Sequence, residues 1–234
     1  MFLHRHCSFR GLDFGYKNQP LYWRLRFDRH NIFVRLCIIV DYYKSKDFQL
    51  HREKITSILE KIPSAESPKG WIKKGSFSVG GFEYFGFAES SDILFITSSS
   101  GRGLFDMTKN EKIARDNSID FPLDRTLLVS KGFDILEGET IKLASKYGGS
   151  LLPVSNKSLE TLVRVSPLYP CEDIIFQPPY ENCFADGRFK NIRSDNCVRV
   201  YRGFLYCYGF SFSGKYFVIA DDGGVTYWQA EHTA

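Results

Sequence analysis

Gly209-Phe210-Ser211-Phe212-Ser213-Gly214-Lys215-Tyr216-Phe217-Val218-Ile219 decides the fold, because its pattern already stands 123 residues earlier as Gly86-Phe87-Ala88-Glu89-Ser90-Ser91-Asp92-Ile93-Leu94-Phe95-Ile96. The two stretches align without a gap. At the same offset Gly101 meets Gly224, Leu104 meets Tyr227 and Phe105 meets Trp228. Each copy reads as strand, polar turn, strand, glycine turn and a strand ending in an aromatic residue, which predicts a three-stranded antiparallel unit. A unit of that size cannot bury its apolar face alone. Gly86, Phe87, Gly101 and Phe105, with Gly209, Phe210, Gly224 and Trp228, are therefore expected to set the shape of two related units.

Outward from these copies the chain keeps the same texture, short apolar runs broken by Gly, Asn, Asp and Ser. Strands are expected at Ser76 to Val79, Phe82 to Phe87, Ile93 to Thr97, Leu104 to Phe105, Glu111 to Arg115, Thr126 to Val129, Thr140 to Ala144, Leu159 to Val165 and Ile174 to Gln177. Further ones are expected at Val198 to Tyr201, Phe204 to Phe210, Tyr216 to Ala220 and Val225 to Trp228. One helix precedes them: Asp47 can cap it, Ile55, Ile58, Leu59 and Ile62 share a face, and Pro63 ends it. The predicted class is all-β, an antiparallel meander with propeller-blade-like units preceded by one helix, closing as a compact or degenerate propeller or, alternatively, as a β-sandwich. Residues 1–46 read as a basic, aromatic-rich extension, strand-bearing around Ile32 to Val40 or else poorly ordered. Residues 47–70 read as helix and linker, with Ser64 to Gly70 the linker, and residues 71–234 as the β domain.

The chain of 234 residues is long enough for a sizeable core, and an aromatic share of 16% favours strands. The net charge of +4 is uneven: residues 1–54 hold eleven Lys/Arg against five Asp/Glu, the rest twenty against twenty-two. Only the N-terminal segment is basic. There Tyr16, Lys17, Tyr22, Trp23, Arg24 and Arg26 mix cations with aromatics in the style of a nucleic-acid reader. The β domain is slightly acidic, so nucleic acid is not its expected partner. The longest apolar run, Ile32 to Val40, is broken by Arg35 and falls well short of the ~20 residues of a spanning helix. Six cysteines without a CxxC pair, and no signal peptide, suggest reduced thiols and a cytoplasmic protein.

Histidines stand at 4, 6, 30, 51 and 232, so Arg52 to Glu231 contains none. The β domain by itself therefore cannot build a Ser-His-Asp device or a histidine zinc site. Cys171, Cys183, Cys197 and Cys207 lack chelating spacing and read as buried small hydrophobes. No metal or cofactor is expected. Ser98-Ser99-Ser100-Gly101-Arg102-Gly103 offers amides, hydroxyls and a guanidinium to an anion, but no P-loop lysine follows. The acidic counterpart Asp221-Asp222-Gly223-Gly224 argues that both are hairpin corners. Arg102, Asp106 and Asp116 are the catalytic candidates, Arg102 to hold an anion and either aspartate to act as base. Against that, aspartates between strands commonly shape turns, and Arg115-Asp116 reads as a structural ion pair.

The Gly209 to Gly214 turn feeding Tyr216 to Ala220 and closing at Trp228 resembles a blade of a WD-repeat or related β-propeller. A second resemblance covers more of the chain. Gly101-Arg102-Gly103-Leu104-Phe105-Asp106, Glu111-Lys112-Ile113-Ala114-Arg115-Asp116, Ile141 to Ala144 with Tyr147-Gly148-Gly149, Ile174 to Pro179 and the C-terminal Gly-Phe-Ser unit are similar, in content and order, to a group of uncharacterised bacterial proteins. That resemblance implies a bacterial cytosolic origin. Together these readings lead to the expectation of a non-enzymatic bacterial interaction protein that recognises a partner protein, in one version immunity- or defence-associated. The alternatives are a small-anion binder or enzyme built on the Gly101 to Gly103 turn, and nucleic-acid binding by the basic N-terminal segment.

Overall fold

A computed structural model describes residues 45–166, 170–184 and 196–231. The expected basic extension and its Ile32 to Val40 strand lie outside these residues. Helix α1 (Lys46–Leu59) starts one residue earlier than expected, so Asp47 lies in its first turn, where its charge meets the positive end of the helix. Ile55, Ile58 and Leu59 form its buried face. Two tightened turns, Lys61 N to Ile58 O and Ile62 N to Leu59 O, then lead into Pro63. The residues read as a linker do not hang free: Ser64 bridges Arg199, and the Ala65 amide donates to Arg199 O at 3.1 Å.

The rest is antiparallel sheet, as the all-β reading with one helix predicts. One sheet has seven strands in the order β5 (Glu111–Asp116), β4 (Gly101–Asp106), β3 (Ile93–Ser98), β2 (Phe82–Phe87), β8 (Thr140–Ser145), β7 (Val129–Lys131), β6 (Leu123–Asp124). A second has four, β1 (Trp71–Phe77), β14 (Gly224–Ala230), β13 (Tyr216–Asp221) and β12 (Leu205–Phe210). The third has three, β11 (Val198–Gly203), β10 (Glu172–Gln177) and β9 (Thr161–Val165).

The two stretches aligned in the sequence pair in the same way. In β2/β3, Phe82 faces Ser98 and Gly86 faces Phe95, with a bulge between Phe82 and Tyr84. In β12/β13, Leu205 faces Asp221 and Gly209 faces Val218, with the bulge between Leu205 and Cys207. The offset of 123 holds into the next pair, where Leu94 faces Phe105 and Phe217 faces Trp228. Each set also carries a fourth strand beyond the expected three. In the first it is β5, which pairs Arg102 with Asp116 and shifts register beside Leu104 and Phe105. In the second it is β1, from the other end of the sheet domain, which pairs Val225 with Phe77 and shifts beside Tyr227 and Trp228.

Strand parity then stacks the sheets. On β3, Leu94 and Ile96 enter the core shared with the four-stranded sheet, while Phe95 faces the opposite way. On β13, Tyr216, Val218 and Ala220 meet that shared core from the far side, and Phe217 and Ile219 turn towards the three-stranded sheet. Leu94 and Phe217 are equivalent positions, so the first set presents its front to the back of the second. Phe105 stacks on Phe77 at 4.5 Å and meets Tyr227 edge-on at 5.7 Å across this contact. The front of the second set holds Trp71 against Phe176, Phe210 and Phe217, and Trp228 lies flat on Phe217 at 4.5 Å. On β10, Ile174 and Phe176 join that aromatic core, and Ile175 faces Ile55, Leu59 and Ile62 on the helix side.

Some boundaries depart from the sequence reading. β1 runs Trp71–Phe77 where Ser76 to Val79 was expected. Thr126 to Val129 is mostly turn: Asp124 Oδ1 accepts the Thr126 and Leu127 amides at 2.9 and 2.8 Å, and Leu128 has φ 53°. β9 begins at Thr161, because Leu159 occupies the left-handed corner of a hairpin with φ 63°.

Candidate functional site

Register brings five polar side chains into one row. Ser145 on β8 faces Tyr84 on β2, Tyr84 faces Thr97 on β3, Thr97 faces Arg102 on β4, and Arg102 faces Asp116 on β5. Directly opposed residues of paired strands share a face. Here it is the face of Phe95, Leu104 and Leu143, away from the four-stranded sheet. Arg102 Nη1 reaches Lys131 O on β7 at 3.2 Å although β3, β2 and β8 lie between, so the sheet curls and the row lines its concave side.

Within the row Arg102 is strongly held. Its Nε donates to Asp116 Oδ2 at 2.8 Å, and its guanidinium carbon lies 4.4 Å from the Phe133 ring centre and 5.2 Å from that of Phe121. The expected Arg115–Asp116 pair is not made. Neighbouring residues on a strand point to opposite faces, and Arg115 instead donates to Asn117 Oδ1 at 2.9 Å and Ser100 O at 2.6 Å. Thr97 is fully buried and its hydroxyl has no hydrogen-bond partner among the described residues.

Asp106, the third catalytic candidate, stands at the other end of β4, about 13 Å along the strand at ~3.3 Å per residue. There it shapes a turn, accepting from the Thr108 hydroxyl at 2.6 Å and from the amides of Thr108 and Lys109 at 2.9 and 3.2 Å. Burial raises its pKa, but these hydrogen bonds outweigh burial and hold the carboxyl below its ordinary value. Asp116 is also lowered, first by the Ser118 amide and next by Arg102. A carboxyl whose folded pKa is depressed stabilises the fold above its unfolded pKa and loses that contribution as pH falls through the folded value. The thermal midpoint is therefore expected to hold down to about pH 5 and to fall below about pH 4. Asp106→Asn should flatten part of that acid slope in a melting series from pH 7 to pH 2.

A larger set of charges joins α1 to the three-stranded sheet, and nothing in the sequence reading picked it out. Asp173, 2% exposed, accepts Arg202 Nε at 2.7 Å and Nη2 at 2.9 Å, and Arg199 Nη1 lies 3.8 Å away. Arg202 also pairs with Glu60, just beyond the helix, and Arg199 donates to Leu59 O and Ser64 Oγ. On the other face Glu172 takes Arg164 in a fork, with the Ser166 hydroxyl at 2.7 Å. The one legible signal was an adjacent Glu-Asp pair heading the apolar run Ile174 to Phe176.

Beside this sheet Pro68, Phe176, Pro178, Pro179 and Val198 wall a cleft of about 330 Å³, with Lys69, Glu160 and Asn196 as its polar lining. Glu160 is held by Trp71 Nε1 at 3.2 Å and Asn156 Nδ2 at 2.7 Å. Next to the proline pair Tyr180 is 93% exposed at φ 63°, a backbone position that bulky residues rarely adopt. Of the cysteines read as buried, Cys183, Cys197 and Cys207 are so, but Cys171 is exposed. Cys183 and Cys197 share one buried cluster, which their spacing did not suggest. No group of three or more His, Cys, Asp or Glu able to hold a metal occurs among the described residues. Nor, among them, is any helix long and apolar enough to cross a membrane. Comparison with protein-family models and with curated proteins finds no match to this chain.

Proposed function

We propose that this is a non-enzymatic bacterial protein, cytoplasmic, that binds a partner protein through the loops and open edges of its stacked sheets, in one version as an immunity or defence factor. The supporting observation is how its charges are used. Arg102, Asp106, Asp116, Arg164, Glu172, Asp173 and Arg202, the groups a catalyst would draw on, are committed to internal partners. Most of the large apolar side chains left in solvent, including Ile119, Leu127, Tyr147 and Tyr180, sit on connections between strands; Leu50 on the helix and Ile72 on β1 are the exceptions among the described residues. The front-to-back packing of two equivalent four-strand sets also fits blade-like units, whose connecting loops form a natural contact surface. Affinity capture from native bacterial lysate should recover one protein at near-stoichiometric yield, and the purified pair should re-form a complex that Tyr180→Ala or Leu127→Asp weakens at least tenfold. Recovery of no stoichiometric partner counts against the reading.

A second reading has one observation in its favour: the buried Thr97 hydroxyl, without a hydrogen-bond partner among the described residues, faces Arg102 across the ladder. Hydroxyl and guanidinium together suit a small anion. Thermal-shift screening with nucleotides, sugar phosphates and carboxylates separates the two readings. A ligand-induced rise that vanishes in Arg102→Ala supports the anion site, and a flat response in the wild-type protein removes it.

A further inference from the structure

Cys183 and Cys197 stand out among the groups that no function above employs. Cys183 lies beyond the end of β10 and Cys197 directly before β11, so the two flank the connection between paired strands. Both are fully buried in one cluster, near enough for the Cys197 thiol to act on the Cys183 thiol. Around them stand Ile55, Leu59, Ile62, Val165, Ile175 and Phe184, an apolar wall between α1 and the three-stranded sheet.

We propose that Cys183 and Cys197 are a paired oxidation site that a hydroperoxide converts into a disulfide. In the first step one sulfur attacks the peroxide oxygen and the O–O bond breaks. With hydrogen peroxide the departing hydroxide takes the thiol proton and leaves as water, so sulfur loses two electrons and the peroxide gains them. In the second step the other sulfur attacks the sulfenic sulfur, the S–S bond forms, the S–O bond breaks, and hydroxide leaves with the second thiol proton as another water. The surroundings favour this second step. A sulfenic acid left in an aliphatic pocket strands a polar group there, whereas the disulfide is apolar and the partner thiol stands in the same cluster. Cys183 lies outside the strands, so no ladder opposes its approach to a bond of ~2.05 Å. The neighbouring Cys197 thiol and burial both push the Cys183 pKa up, so the thiol form prevails there and the first step is slow.

The bond also has a structural consequence. Pro178 and Pro179 precede Cys183, and Asn196 and Val198 bracket Cys197; all four line the cleft beside Phe176. Joining the two sulfurs ties these two sides of the cleft together, so oxidation sets its width. This inference is independent of the partner-binding reading.

The full chain, reduced and then exposed in its native state to excess hydrogen peroxide, tests the site by peptide mapping after alkylation in denaturant. Arg188, Lys190 and Arg193 place Cys183 and Cys197 on different tryptic peptides, and Cys171 shares the peptide of Cys183. The expected product joins these two peptides with the loss of two hydrogens, fragment ions between Asp173 and Tyr180 show Cys171 alkylated, and dithiothreitol reverses the bond. Recovery of Cys183 and Cys197 singly alkylated, over-oxidised, or joined to other cysteines overturns the proposal. In Cys197→Ala the cross-link should disappear and a sulfenic acid trappable by dimedone should appear at Cys183. Should that variant fail to fold, mapping of the wild-type chain remains decisive.

Discussion

Asp173→Ala is expected to remove about 3–5 kcal/mol of folding stability, because deleting one partner of a buried ion pair leaves the other charge uncompensated. The carboxylate is 2% exposed and accepts two guanidinium N–H groups of Arg202 while facing Arg199. Both arginines keep Glu60, Arg199 at 3.8 Å, but Arg199 has its side chain 11% exposed and is fixed to Leu59 O, so it stays buried with only that half-exposed partner. The damage should spread, since this cluster ties α1 to the sheet whose opposite face carries Ile174 and Phe176 of the aromatic core. Urea unfolding followed by tryptophan fluorescence measures it. Glu60→Ala, at the exposed rim of the same network, is expected to cost on the order of 1 kcal/mol or less. Equal losses in the two variants would show that the network acts as a surface feature and not as a buried anchor.

What could be read from the chain divides by range. The hairpins were legible because their signals are local: apolar runs, a glycine or Asx corner, then another run. Comparing the chain with itself reached further, since it matched Gly86 with Gly209 and Phe105 with Trp228, positions that pair alike. The fourth strand of the second set was not legible. β1 meets β14 across almost the whole described chain, and no local pattern encodes that partner. Asp116 illustrates a different failure: adjacency suggested Arg115, but the pleat sends those two apart and register supplies Arg102. The shared burial of Cys183 and Cys197 and the Asp173 network failed for the same reason as β1, since both arise where packing brings separate segments together.

Gly224→Ala tests that long-range closure, and its expected cost is about 4 kcal/mol or more, in the range reserved for severe backbone conflicts. Gly224 has φ 138°, and a Cβ there would stand 2.2 Å from Phe77 O and 2.9 Å from Ser78 Cα. Both obstacles are backbone, so no rotamer change relieves them. Gly101, its equivalent, has φ 114°, and a Cβ would stand 2.3 Å from Asp116 O and 2.9 Å from Asn117 Cα. The local conflicts are thus nearly the same, and what differs is the strand that must give way. At Gly101 it is β5, an edge strand whose residues are at least partly exposed, so fraying costs little core. At Gly224 it is β1, which carries Trp71 into contact with Phe176, Phe210 and Phe217. Lifting β1 therefore opens the aromatic core, whereas lifting β5 mainly breaks the Arg102–Asp116 pair. Gly101→Ala should cost roughly 2–3 kcal/mol, the scale of backbone strain at a non-native φ, with intrinsic tryptophan fluorescence unchanged in the folded baseline. Gly224→Ala should cost more and shift that baseline, because Trp71 and Trp228 report directly on the strand being displaced. Equal costs with no fluorescence change at either site would mean that β1 is as dispensable an edge as β5, and that the second set stands without its closing strand.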